Sequence, residues 1–364
     1  MERLKRRLER VVEDIAGRYR AAGYFPSACV RVFNAHETLA AVCVGEAEED
    51  SLFDVASLTK IATGTQTLRL MAAGKLALCD PLCACLPELM EDDWLRGRLA
   101  GVELRHLLTH TSTLVDWYPF YTRRGEDFFT ALKYVLQHTE RTQGVVYSDL
   151  NFMLLGKVIE RVQGKPLDVC LREDLVEPLG LGRMTYCPDR TLSIVPSSYG
   201  NPIEMEMCRE RGLSFGGFRP LDKPVVGEAN DGNCHYYFNG VSGHAGIFAD
   251  ALAYERLCRY CMTTDEPIIL EAQREQPGAP GRGLGLQTGL SYPHGCGHTG
   301  FTGTGIWFSR SHGVGVVTMT NRLFYREANG QATWEFRRVM YEAVFALAAS
   351  LPADIPVCGE NDRR

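Results

Sequence analysis

No stretch of the 364 residues holds the ~20 consecutive apolar side chains that a membrane-crossing helix needs. Positive charge is not in excess either: 39 Lys and Arg stand against 45 Asp and Glu, a net charge of −6. Such a chain has no basic surface with which to hold a phosphate backbone, so no nucleic-acid partner is expected. The N-terminus, MERLKRRLERVVEDIAGRYRAAG, starts basic, but no apolar core and no small-residue cleavage site follow. It is not read as a secretory leader. Repeats and low-complexity tracts are also missing. The thirteen cysteines form no regular framework. Cys79, Cys83 and Cys85 make C-x3-C-x-C, Cys258 and Cys261 make C-x2-C, and neither has a second pair at zinc spacing. These absences predict a cytoplasmic protein with free thiols, no bound zinc, no organic cofactor and no membrane span. They leave the oligomeric state open.

What is present is an ordinary globular composition, 45% apolar and 23% charged, at a length that suggests two domains. Leu4, Leu8, Val11, Val12, Ile15 and Tyr19 share one helical face at the N-terminus. Residues 27–33 and 39–44 read as a hairpin of two strands. A helix is predicted from Ser57 to Ala73, ended by Gly74. Further helices are expected over 103–109, 126–138 and 149–163. Residues 183–235 are rich in Pro, Gly and Asn and read as an irregular excursion or lid. Beyond Gly243 come a short strand at 244–249, a helix at 250–262, strands at 284–288, 305–309 and 313–320, and a helix at about 332–349. Cys258 and Cys261 fall inside the 250–262 helix as buried small hydrophobes. Strands at both ends with helices between predict an α+β fold. Residues 1–75 and 241–364 would form one discontinuous α/β sheet domain, and 76–240 an inserted, mostly helical one.

The sharpest chemical signal is Ser57-Leu-Thr-Lys60 at the start of a helix. The i, i+3 spacing places a hydroxyl and an amine on one face. A serine needs an adjacent base to become a nucleophile, and a lysine supplies one if burial and nearby positive charge lower its pKa. S-x-x-K alone is common in chains of this length. Two more segments follow in order: Val146-Tyr147-Ser148-Asp149 and Gly297-His298-Thr299-Gly300-Phe301. Leu107-Leu-Thr-His-Thr-Ser112 and Gly240-Val-Ser-Gly-His-Ala-Gly246 accompany them.

Together these segments resemble the serine β-lactamase and penicillin-binding-protein superfamily, whose signatures include S-x-x-K and K-T-G. The match is closer to its class C branch, where the middle element is Y-x-N. The resemblance spans residues 25–345. It implies a β-lactamase-like antiparallel sheet flanked by helices: the terminal helices on one side, the Ser57 helix on the other, and the site in the interdomain cleft. It implies Ser57 as the acylating nucleophile, Lys60 as its base and Tyr147 as a proton shuttle. His298, Thr299 and Gly300 would form the strand facing the serine. The N–H groups of Ser57 and Phe301 would form the oxyanion hole.

Two positions depart from that pattern. Asp149 stands where Asn is usual, and an ionised Asp accepts but does not donate to a substrate carbonyl. It can instead pair with Lys60, raising the lysine pKa. His298 stands where Lys usually fixes a substrate carboxylate. A histidine is mostly neutral at pH 7, so carboxylate anchoring should be weak and should strengthen as the pH falls. H-T-G resembles esterase-like and peptidase-like members more than true β-lactamases. The expected activity is a serine hydrolase cleaving an ester or amide of a small molecule or short peptide through a Ser57 acyl-enzyme. The alternatives are a peptidase or amidase acting on D-amino-acid-containing cell-wall-type peptides, a weak β-lactamase, and a catalytically silent binding module. His110 is expected to order the loop before Asp116, and His244 to lie near the pocket rim.

Overall fold

The computed structural model describes residues 2–289, 292, 294–324 and 333–349. Its strands are β1 (Ala28–Phe33), β2 (Thr38–Val44), β3 (Phe53–Asp54), β4 (Met184–Tyr186), β5 (Ser198–Tyr199), β6 (Pro224–Val225), β7 (Ile247–Ala249), β8 (Gln287–Thr288), β9 (Cys296–Thr299), β10 (Gly305–Ser309) and β11 (Val314–Thr320). Six of them form one antiparallel sheet in the order β2-β1-β11-β10-β9-β8. Residues from both ends of the chain therefore share one sheet.

The period-2 alternation of strands sorts side chains between two cores. Val30, Val32, Trp307, Val314 and Val316 face one way, onto Leu8, Val12 and Ile15 of the N-terminal helix Glu2–Ala21 and onto Phe336, Met340 and Val344 of the C-terminal helix Trp334–Ala348. Cys29, Phe33, Ile306, Phe308, Val317 and Met319 face the other, in the same core as Leu257 and Cys258 of the helix Ala251–Thr263. Because both faces are covered, the strands read as unbroken apolar runs.

This corrects the expected layering. The helix that begins just after Ser57, Thr59–Ala72, packs chiefly against the helices Asp149–Gln163 and Pro267–Ala272 rather than on the sheet strands. Thr59 through Leu68 are all buried, so this helix is internal on every side and has no single stripe to offer a sheet. Ala251–Thr263 packs against β1, β10 and β11 instead.

The segment 183–235 is also more ordered than its composition suggests. It contributes β4 to a small sheet with β7 and β3, the β5–β6 pair, and the helix Pro202–Glu210. That helix buries Glu204 and Cys208, so it has no apolar stripe to be read from sequence. The strand expected at 284–288 shortens to β8. β9 has no apolar run and was expected only from the family resemblance. Residue 332, where the last helix was expected to start, lies outside the described residues.

The free-thiol expectation needs one correction. Cys29 and Cys43 form a disulfide, because antiparallel pairing of β1 and β2 sets them directly opposite each other with Cα atoms 4.2 Å apart. That is the close, non-hydrogen-bonded spacing of a ladder. Ten other cysteines are free, Cys258 and Cys261 buried among them; Cys358 lies outside the described residues. Among the described residues, no helix is long and apolar enough to cross a membrane.

Candidate active site

Ser57 sits on the turn that joins β3 to the Thr59–Ala72 helix. The turn is pinned from three sides. The Asp54 carboxylate accepts from Ala56 N–H at 2.8 Å, where Ala56 has the left-handed φ of 47°, and from Asn230 N–H at 2.6 Å. Burial pushes the Asp54 carboxyl up to about 6 against those two hydrogen bonds. From the far side, Thr302 Oγ1 donates to Asp54 O at 2.7 Å and Thr304 Oγ1 donates to Val55 O at 3.0 Å. The 300–304 turn is thereby fastened to the residues that precede Ser57. Gly300 is required there: a Cβ would lie 2.6 Å from Val55 O and 2.1 Å from Thr304 Oγ1. Phe301 follows, 41% exposed, with its ring under the Arg322 guanidinium.

One turn after Ser57, Lys60 is fully buried. Its Nζ donates to Ser57 Oγ at 3.0 Å and to His244 O at 3.0 Å, and lies 2.8 Å from Asp149 Oδ1. The contact with Asp149 is a close ion pair rather than an aligned hydrogen bond. Burial alone pulls the Lys60 pKa down, as its base role would need, but the charge of Asp149 and the nearness of Tyr147 outweigh burial and raise it. Lys60 is therefore an ammonium in this resting site.

Tyr147 completes the group. Its ring centroid is 4.9 Å from Lys60 Nζ, and its phenol is within interaction range of Lys60 and Ser57. Burial raises its pKa despite the pull of Lys60, so the phenol keeps its proton. The Tyr147–Asp149 turn leads into the helix Asp149–Gln163, whose N-terminus favours a carboxylate at its first residue. His110 holds this turn rather than the loop before Asp116. With φ of 58°, it accepts at Nδ1 from Ser148 N–H at 3.0 Å, and its ring lies 4.7 Å from that of Tyr147. Burial keeps His110 neutral.

His298, on β9 opposite Ile306, is 1% exposed, so it does not stand open to the cleft. Burial and the Lys60 charge push it down to about 3. This environment favours the neutral imidazole and works against the expected gain of charge on mild acidification. His244 is likewise buried rather than at the rim. Its Nε2 is 2.9 Å from Asp231 Oδ1 and its Nδ1 2.8 Å from Ser242 Oγ. Gly243 before it packs so closely on the Asp149–Gln163 helix that a Cβ would lie 2.2 Å from Phe152 O. Tyr236 packs against Tyr121, Phe215 and Phe218 and lines no part of this group.

Sequence reasoning missed two residues. Asp231 lies in the irregular segment, and nothing in its local pattern marks it. Arg282 lies in the Gly- and Pro-rich stretch Gly278-Ala-Pro-Gly-Arg-Gly-Leu-Gly285. Its guanidinium is 5.4 Å from the Tyr147 ring centroid, on the same ring that faces Lys60. The loop is held there by Gly285, whose N–H donates to Leu108 O and whose Cα approaches Gly64 of the Ser57 helix. Among the described residues, no carboxylate lies within ion-pair distance of Arg282. Burial lowers its pKa, but a guanidinium stays charged. Asp149, Asp231 and His244 each bring one metal-competent atom within 4.8 Å of the others. Those atoms already serve Lys60 and each other, which does not suit a resident metal ion.

A model of the family described as Beta-lactamase matches residues 12–338. The chain belongs to the β-lactamase family. Its members are serine hydrolases, and this chain is one by that membership. An N-acetylmuramyl-L-alanine amidase of Bacillus subtilis is 28% identical over 305 residues, covering 75% of this chain and 68% of that protein. A putative D-alanyl-D-alanine carboxypeptidase of Salmonella agona is 24% identical over 308 residues, covering 76% and 70%. Among solved structures, EstCE1, a hydrolase with promiscuous acyltransferase activity, superposes with a TM-score of 0.72 at 18% identity, covering 94% of this chain and 99% of that one. A class C β-lactamase superposes at 0.68 with 16% identity, covering 94% and 98%. These likenesses bear out the α+β, penicillin-binding-protein-like fold expected from the motifs.

Proposed function

We propose that this β-lactamase-family hydrolase cleaves an amide in a short, carboxylate-bearing peptide of the D-amino-acid, cell-wall type through a Ser57 acyl-enzyme. Ser57 attacks the carbonyl carbon. Lys60 takes its proton, and Tyr147 gives a proton to the leaving group. The N–H groups of Ser57 and Phe301 receive the oxyanion; such donors are typically worth ~3–4 kcal/mol each. Arg282 binds the substrate carboxylate in place of the lysine that His298 replaces. Thr299 and Gly300 shape the strand edge along which the substrate lies.

The observation that carries this reading is a pairing of two features. Ser57, Lys60, Asp149 and Tyr147 meet around one buried ammonium, and a guanidinium with no carboxylate partner among the described residues lies 5.4 Å from the Tyr147 ring centroid. The names of the amidase and carboxypeptidase relatives agree with an amide substrate. The cytoplasm remains the proposed location, since ten described cysteines are free against one bridged pair.

The test is fluorophosphonate labelling followed by intact mass and peptide mapping. A single adduct on Ser57, lost in Ser57→Ala, is expected. An unlabelled protein, or an adduct on another serine, contradicts the assignment and returns the fold to a binding role.

A further inference from the structure

We infer that Asp149 is the terminal proton acceptor of the acylation step and that Lys60 is only the conduit to it. The inference rests on the Ser57 acyl-enzyme proposed above and adds a catalytic residue to it.

An ammonium has three N–H donors and no lone pair. Lys60 Nζ meets three acceptors: Ser57 Oγ at 3.0 Å, His244 O at 3.0 Å and Asp149 Oδ1 at 2.8 Å. Two of its contacts are hydrogen bonds, to Ser57 and His244, the third is the ion pair with Asp149, and the ammonium has no lone pair to take the serine proton directly. The neighbouring phenol of Tyr147 holds its own proton. The strongest proton acceptor in contact with Lys60 Nζ is the Asp149 carboxylate. Asp149 Oδ1 has no aligned hydrogen bond of its own, although it is buried. Asp231, the other carboxylate nearby, is already engaged by His244 Nε2 and by Cys234 N–H. An Asn at position 149 offers no proton acceptor of this strength; the substitution that departs from Y-x-N is what creates the relay.

The step balances. Lys60 Nζ first gives a proton to Asp149 Oδ1, and the neutral amine turns its lone pair toward Ser57. As Ser57 Oγ bonds to the carbonyl carbon, its proton passes to that lone pair; the carbonyl π pair becomes the oxyanion, Lys60 is again an ammonium and Asp149 is a neutral acid. On collapse the C–N bond breaks. The leaving nitrogen takes the Tyr147 proton, Lys60 restores Tyr147, and Asp149 restores Lys60.

The experiment compares wild type and Asp149→Asn, with Asp149→Glu as the conservative variant. It measures kcat/KM on a neutral chromogenic ester from pH 4.5 to 10. The wild type should hold its activity to lower pH than Asp149→Asn. Asp149→Asn should fall about 10²–10⁴-fold at pH 6 and regain activity as the pH rises, because Lys60 must now lose a proton to act. Its acid limb should move up by about two pH units or more. Asp149→Glu should restore the low acid limb. An unmoved acid limb in an Asp149→Asn protein that still labels at Ser57 overturns the relay alone. A wild type that takes no label at Ser57 overturns the acyl-enzyme reading, and the relay with it.

Discussion

Two cations lie against the Tyr147 ring and differ in their surroundings. Lys60 is fully buried, and each of its donors has an acceptor within the chain. Arg282 is partly exposed, sits 5.4 Å from the same Tyr147 ring, and has no carboxylate partner among the described residues. A buried charge without a counter-charge costs several kcal/mol, so Lys60 persists because Asp149 neutralises it. Arg282 needs no such partner, since solvent reaches it. On the proposed reading, position in the sequence motif does not tell which cation serves the substrate. The motif lysine is fully enclosed, and the guanidinium from the glycine-rich loop is only partly buried.

Lys60→Met breaks the comparison from its closed side, and its effect should be the largest. Acylation of Ser57 should drop about 10²–10⁴-fold, as for loss of a general base. Asp149 would then be a carboxylate without its partner, and unfolding free energy should fall by about 3 kcal/mol in denaturant titrations. The pH dependence of that stability has a definite sign. The folded-state pKa of Lys60 is raised, so its contribution is complete below the unfolded value of about 10.4 and is lost only as the pH rises through the folded value. Stability changes between pH 5.5 and 9 must therefore arise elsewhere. Near-native acylation by Lys60→Met would mean that the buried ammonium takes no part in the chemistry.

His298→Lys sharpens the comparison by adding a third cation. If Arg282 already meets the carboxylate, a lysine on buried β9 should raise kcat/KM for carboxylate substrates by less than about tenfold. A gain of 100-fold would instead show that position 298 is the missing anchor. Smallest of all is the effect of acid. His298 sits at about 3 and stays neutral from pH 5.5 to 8, while Arg282 stays charged. The ratio of kcat/KM for a carboxylate substrate over a neutral ester should be flat across that window. A ratio that climbs as the pH falls would return the role to His298.

Much of this was legible in the sequence. Ser57, Lys60, Tyr147 and Asp149 could be named because two short motifs place them, and the Lys60–Asp149 pair follows from the departure at position 149. The sheet strands were legible wherever both faces are buried, as in β1, β10 and β11, since an unbroken apolar run survives without context. β9 was not, because Gly297 and His298 are packed by their neighbours rather than by their own hydrophobicity. Arg282, Asp231 and the Pro202–Glu210 helix were not legible either. Each depends on a long-range contact: Gly285 against Gly64, His244 against Asp231, and Glu204 accepting from Gly232 N–H. The burial of His298 was missed for the same reason.

The most direct test of the two-cation account uses a D-alanyl-D-alanine-terminated peptide and the same peptide with a C-terminal amide. Their kcat/KM values are compared in wild type and Arg282→Gln. A charge-assisted contact to a carboxylate is worth about 1.5–3 kcal/mol, so the wild type should prefer the free carboxylate roughly 10- to 100-fold. Arg282→Gln should bring that ratio close to one and leave the amide form unchanged. The same preference in both proteins would show that Arg282 does not read the substrate carboxylate, and the account would be wrong at its centre.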